Sequence, residues 1–202
     1  MKNDRIVMMA TTATVAAFLA MGQRNPTAGP TSPGLTLMTT AFEDGGILPA
    51  KYTQQVPKPV SPKLTWTHVP GGVVTFTLIM HDADSAPQRN SADSLHWMVF
   101  NIPGDKRELP EGIPDVATLP DGTTQGISQR GVLTGQNGDY VRGYRGPAGP
   151  VDGPYHHYTL ELYALDTKLP LGPDAQRAEV LKAMDGHVLA KGVLVGRFHR
   201  TK

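Results

Sequence analysis

Leu78-Ile79-Met80-His81-Asp82-Ala83-Asp84-Ser85-Ala86-Pro87, followed after eight residues by His96-Trp97, is the stretch on which the reading of this chain turns. An alternating hydrophobic run ends in two carboxylates two residues apart. Pro87 then stiffens a loop that returns the chain to a second strand opening on a histidine. This order predicts a pocket at the edge of a sheet. A third run, His156-His157-Tyr158-Thr159-Leu160-Glu161-Leu162-Tyr163, follows the turn-rich Gly143-Tyr144-Arg145-Gly146-Pro147 and brings another imidazole to the same end. Carboxylates and imidazoles around one loop suit an anion or polar-headgroup site, a metal site or a catalytic site. Residue types alone do not choose.

Outward from that stretch, Val74, Phe76, Leu78 and Met80 share one face, while Val73, Thr75, Ile79 and His81 share the other. Both faces carry apolar residues, so a central strand covered on both sides is predicted. His96, Met98 and Phe100 alternate with Trp97, Val99 and Asn101. In the third run His156, Tyr158, Leu160 and Leu162 lie on one side and His157, Thr159, Glu161 and Tyr163 on the other. Leu35 to Phe42 reads as an early strand, and Ile47 to Thr53 as an extended segment interrupted by Pro49. Asp105 to Arg142 reads as mostly loop, with turns at Glu111-Gly112, Asp121-Gly122 and Asn137-Gly138, a length suited to binding or lid material. A helix is expected after Pro173, with Asp174 as its cap and Gly186 as its stop. Val188 to Lys191 is expected to add a short second helical turn ended by Gly192, before a last strand from Val193 to Phe198. With 22 glycines and 18 prolines and no long apolar run, the mature chain is expected to be mainly β, with strands joined by shaped loops.

Residues 1–22 read as a secretory signal: Lys2 and Arg5, an apolar run from Ile6 to Met21, and small residues at Ala20 and Gly22. The run is too short and threonine-rich for a stable transmembrane segment. Residues 23–34 form a flexible linker of Pro, Gly, Thr and Ser, and residues 35–202 have the size of one domain. Export, with a periplasmic destination, is the expectation. The absence of cysteine excludes disulfides and thiolate zinc sites. Removal of the leader takes two of 19 basic and one of 18 acidic residues, leaving 17 of each. A neutral balance carries no electrostatic footprint for nucleic acid or for tight binding to an acidic membrane.

An ordered series of motifs adds a resemblance. Tyr52-Thr53, Ser61-Pro62-Lys63-Leu64-Thr65-Trp66, Asp82 to Pro87, His96-Trp97 with Asn101-Ile102-Pro103, Gly143 to Pro147, His156 to Leu165, and Gly186-His187-Val188-Leu189-Ala190 follow one another from Leu35 to Arg200. The chain resembles the phosphatidylethanolamine-binding proteins, also described as Raf-kinase-inhibitor-like, in their bacterial branch. The resemblance implies a large antiparallel sheet with a smaller flanking sheet, short C-terminal helices and a small anion-accepting pocket. It also implies ligand-binding roles for Asp82, Asp84, Pro87, His96, Gly146, His156 and Tyr158, with Trp97 and Tyr144 as pocket wall. Three positions depart from the family pattern: Ala83 and Gly149 stand where proline is usual, and His157 where arginine is usual.

Each candidate has a plainer alternative. Asp82 and Asp84 can cap their own turn, His96 and His156 can be satisfied core groups, and Tyr158 can serve packing alone. The function expected is non-enzymatic binding of a small anionic ligand such as a phospholipid headgroup, with no cofactor and a possible protein partner. The alternatives are a protease- or kinase-inhibitor-like binding module and, more remotely, a metal-dependent hydrolase. No His-Glu-x-x-His or Gly-x-Ser-x-Gly signature supports an enzyme.

Overall fold

The computed structural model describes residues 34–86, 91, 93–129 and 140–202, and Pro87, the leader and nearly all of the linker lie outside them. The strands are β1 Thr36–Met38, β2 Gly46–Ile47, β3 Leu64–Thr67, β4 Thr75–Asp82, β5 Ser94–Pro103 and β6 Glu108–Leu109. They continue as β7 Thr124–Gln125, β8 Ile127–Gln129, β9 Tyr140–Arg142, β10 His156–Leu165 and β11 Val188–Phe198, with one α-helix among the described residues, α1 Arg177–Met184. Six strands form the large sheet in the order β2-β11-β10-β4-β5-β7, β1-β3-β6 form a small one, and β8-β9 pair separately. Every pair in the large sheet is antiparallel except the two-residue contact of β2 with β11.

The alternation read in the sequence sorts the core into two layers. Phe76, Leu78, Met80, Trp97, Val99, Tyr158, Leu160 and Leu162 pack between the sheets against Leu37, Leu64, Trp66 and Leu109. Ile79, Met98, Phe100 and Leu165 pack on the outer face beneath Val180 and Met184 of α1. β4 is therefore covered on both sides, as its two apolar faces require. Trp66 meets Phe76 edge-on with ring centroids 5.3 Å apart, a favoured aromatic geometry that ties the small sheet to the large one.

Several boundaries differ from the sequence reading. The early strand stops at Met38, because Thr39 turns the chain: its hydroxyl donates to Lys63 O and accepts from Ala41 N–H. Past Ile47, Pro49 starts a 3-10 turn over Ala50–Tyr52, closed by Tyr52 N–H on Pro49 O. Among its described residues the segment from Asp105 to Arg142 is mostly loop, as expected, and carries four short strands, β6 to β9. Asp174 does not cap α1; it binds the Arg142 guanidinium at 2.7 Å, and the helix starts after Gln176, whose N–H donates to Glu179. Gly186, with φ of 80°, does stop it. The expected second helical turn is strand: Val188 to Lys191 pair with β10. Gly192 is there for close approach, since a Cβ would lie 2.7 Å from Leu35 O.

Candidate functional site

Asp82 is the last residue of β4 and continues the inter-sheet stripe of Phe76, Leu78 and Met80. Tyr158 stands directly across from it on β10, and His156 follows on the same face. β4 and β10 are interior strands of the large sheet, so these groups gather at strand ends and not at a sheet edge. The reason is that β5 and β11 flank this pair on either side.

His96 reaches them through an irregularity. Met80 pairs with Trp97 but His81 pairs with Leu95, leaving His96 as the extra residue of a β-bulge. Strict alternation would send His96 to the outer face with Met98. The bulge instead places His96 and Trp97 on the same side, where the His96 ring meets Tyr158 edge-on at 5.1 Å and Trp97 meets Tyr144 edge-on at 5.4 Å.

Asp82 is buried, 5% exposed. Its carboxylate accepts from His156 Nδ1 at 2.8 and 3.1 Å and from Asp84 N–H at 3.1 Å. Beside it, the Tyr158 hydroxyl accepts from Gly149 N–H at 2.9 Å. Burial and then the Asp82 charge push the Tyr158 hydroxyl far above its ordinary pKa, leaving it neutral. Asp82 is thus an organiser: it pins His156 by one nitrogen and turns Nε2 away from the carboxylate.

His96 is a different kind of imidazole. Its Nδ1 donates to Arg145 O at 2.8 Å, while Arg145 N–H donates to His96 O at 2.9 Å, and the side chain is buried. Burial, reinforced by the nearby Arg145 cation, pushes its pKa down to about 3. His96 therefore stays neutral, while the His156 side chain is 22% exposed.

Other candidates are placed as follows. Asp84 sits apart from the cluster: its carboxylate takes the His157 N–H at 2.6 Å and the His157 ring at 2.9 Å. Although burial works to raise it, those contacts hold the Asp84 carboxyl below its usual range. His157 points to the opposite face of β10 from His156 and is half exposed. Gly146 brings its loop against the Tyr52–Pro59 segment, since a Cβ would lie 2.8 Å from Tyr52 O and from Pro59 Cβ. Trp97 and Tyr144 are buried braces: indole N–H donates to Gln125, and the Tyr144 hydroxyl donates to Tyr52 O at 2.7 Å.

Two of the unusual positions have local reasons. Ala83 N–H donates to His157 O at 3.0 Å, a bond proline lacks. Gly149 has φ of 41°, which proline cannot adopt, and donates the N–H that holds Tyr158. The sequence reading missed the role of Gly149; the only signal was a glycine in a proline-rich loop.

Among the described residues no group of three or more His, Asp and Glu side chains is arranged to hold a metal. The two imidazoles are committed to different partners, a carboxylate and a carbonyl. A groove of about 590 Å³ between β1 and β11, lined by residues such as Thr36, Phe42 and Asp44, contains none of these side chains.

A family model described as phosphatidylethanolamine-binding protein matches residues 38–199. The chain is 43% identical over 166 residues to a UPF0098 protein of Methanothermobacter thermautotrophicus, spanning 82% of this chain and 99% of that one. A UPF0098 protein of Aquifex aeolicus is 35% identical over 167 residues, spanning 82% and 89%. Among solved structures, a phosphatidylethanolamine-binding protein homologue of Chlamydia trachomatis matches with TM-score 0.68 at 29% identity, covering 84% of this chain and 99% of that one. Escherichia coli YbcL, at TM-score 0.70 and 24% identity over 83% of this chain and 99% of its own, shares the fold. With its strand order, its two-layered core and these matches together, the chain belongs to the phosphatidylethanolamine-binding protein family, in the branch of its bacterial and archaeal relatives.

Proposed function

We propose that this protein binds a small anion, a phosphate-bearing headgroup or a free phosphate compound, without turning it over, at the strand ends where Asp82, His96, His156 and Tyr158 meet. One observation carries the reading: a buried Asp82 holds His156 by Nδ1 and directs Nε2 away. A neutral His156 accepts a proton-bearing phosphate oxygen at Nε2, and a protonated one donates to an ionised oxygen. Membership in a family described by binding supports a non-catalytic role. We infer also that residues 1–22 are an export leader and that the mature chain acts in the periplasm.

Calorimetric titration of inorganic phosphate and phosphoethanolamine, in metal-free buffer, tests the site. His156→Ala is expected to weaken binding at least tenfold, about 1.4 kcal/mol, while His157→Ala leaves it unchanged. Equal binding by wild type and His156→Ala refutes the site. Metal-dependent turnover supports the hydrolase alternative, and capture of a protease or kinase with no anion binding supports the inhibitor-like module.

A further inference from the structure

We propose that His81 is a proton-operated tie that holds α1 and the approach to β5 against the outer face of the large sheet. This does not depend on the anion site, which lies on the other face. Only 12% of the His81 side chain is exposed, and both of its nitrogens face carboxylates. Nδ1 lies 2.5 Å from Asp93 Oδ2, and Nε2, buried and without a hydrogen-bond partner, lies 3.8 Å from Glu161 Oε2. A neutral ring has one N–H and must aim a lone pair at one of these anions; an imidazolium offers N–H to both.

The charged groups around His81 come from every element packed there. Asp93 precedes β5, Glu161 and Tyr163 come from β10, Lys191 from β11 and Arg177 from α1. Arg177 donates to the other oxygen of Asp93. Lys191 donates to Glu161 at 2.5 Å and Tyr163 donates to it at 2.7 Å. Burial, and more weakly Arg177, oppose a charge on His81, yet Glu161 and Asp93 prevail and its pKa lies above the ordinary value. His81 is likewise the leading influence that draws Glu161 down to about 2.

Asp93 therefore joins β4 to the first residue of α1, the helix that seals Val180 and Met184 over Ile79, Met98 and Phe100. A histidine with a raised pKa contributes stability that is complete below its unfolded pKa and lost as pH rises through the folded one. Loss of the proton leaves a lone pair facing Glu161 and weakens the grip on Asp93. The helix is expected to open more often at alkaline pH.

The test follows the His81 Cε1 resonance by NMR and, on the same full chain, hydrogen exchange of the α1 amides corrected for intrinsic rate. Wild type is expected to titrate above 6.5 and to lose protection in α1 about tenfold across that titration. Glu161→Gln is expected to lower the His81 pKa and move the loss with it, and His81→Gln to abolish the pH dependence. Should His81→Gln not fold, Glu161→Gln decides alone. Titration at or below 6.5, protection that stays flat through it, or a loss whose midpoint does not move in Glu161→Gln overturns the proposal.

Discussion

Lowering pH is expected to destabilise the fold through His96 well before carboxylates titrate. The ring is 1% exposed and its pKa falls from 6.5 to about 3. Between those values the unfolded chain binds a proton that the folded chain refuses, so stability is complete above the unfolded pKa and declines as pH falls. The slope approaches about 1.4 kcal/mol per pH unit, and integration from pH roughly 7 to 5 gives a loss of about 2 kcal/mol. His81 works in the opposite direction in the same window, because its folded pKa is raised. The difference between wild type and His96→Gln isolates His96, since Gln can donate to Arg145 O and does not titrate. Urea unfolding at pH intervals, with constant m-values, is the assay. His96→Gln is expected to be less stable at pH 7 but to lose about 2 kcal/mol less than wild type on acidification. Parallel profiles for the two proteins between pH roughly 7 and 5 would refute the neutral, buried state of His96.

Gly149→Ala forces an alanine to φ of 41° with its Cβ 2.8 Å from His199 Cα, and is expected to cost about 2–3 kcal/mol. Gly172→Ala, with open space around it, is expected to change urea stability by less than about 1 kcal/mol. Asp84→Asn breaks a pair whose side chains are 41% and 51% exposed, so a thermal-unfolding comparison is expected to show a loss of no more than about 1 kcal/mol. Intact-mass analysis of protein recovered from the periplasm is expected to show a chain beginning near Gln23; a retained Met1–Gly22 segment there, or recovery only from the cytoplasm, refutes the export leader.

The two faces of β4 and β10 were legible because side chains in a strand alternate with a period of two, and Leu78, Met80, Leu160 and Leu162 follow that period closely. The same local rule placed His156 and Tyr158 on one face and His157 on the other, and the ordered motifs identified the family. Helix termination at Gly186 was also local, a matter of one positive φ. His96 was different. Its side depends on a bulge formed by the offset between Met80–Trp97 and His81–Leu95, which is a property of two strands together and leaves no mark on the alternation of either. Val188 to Lys191 became strand because β10 offered a complete ladder, an option that local helical propensity does not register. The pairing of Asp84 with His157, the neutrality of His96 and the raised pKa of His81 likewise belong to the fold. Each is set by which groups meet across strands and how much water is excluded between them, and the sequence order contains neither distance nor dielectric.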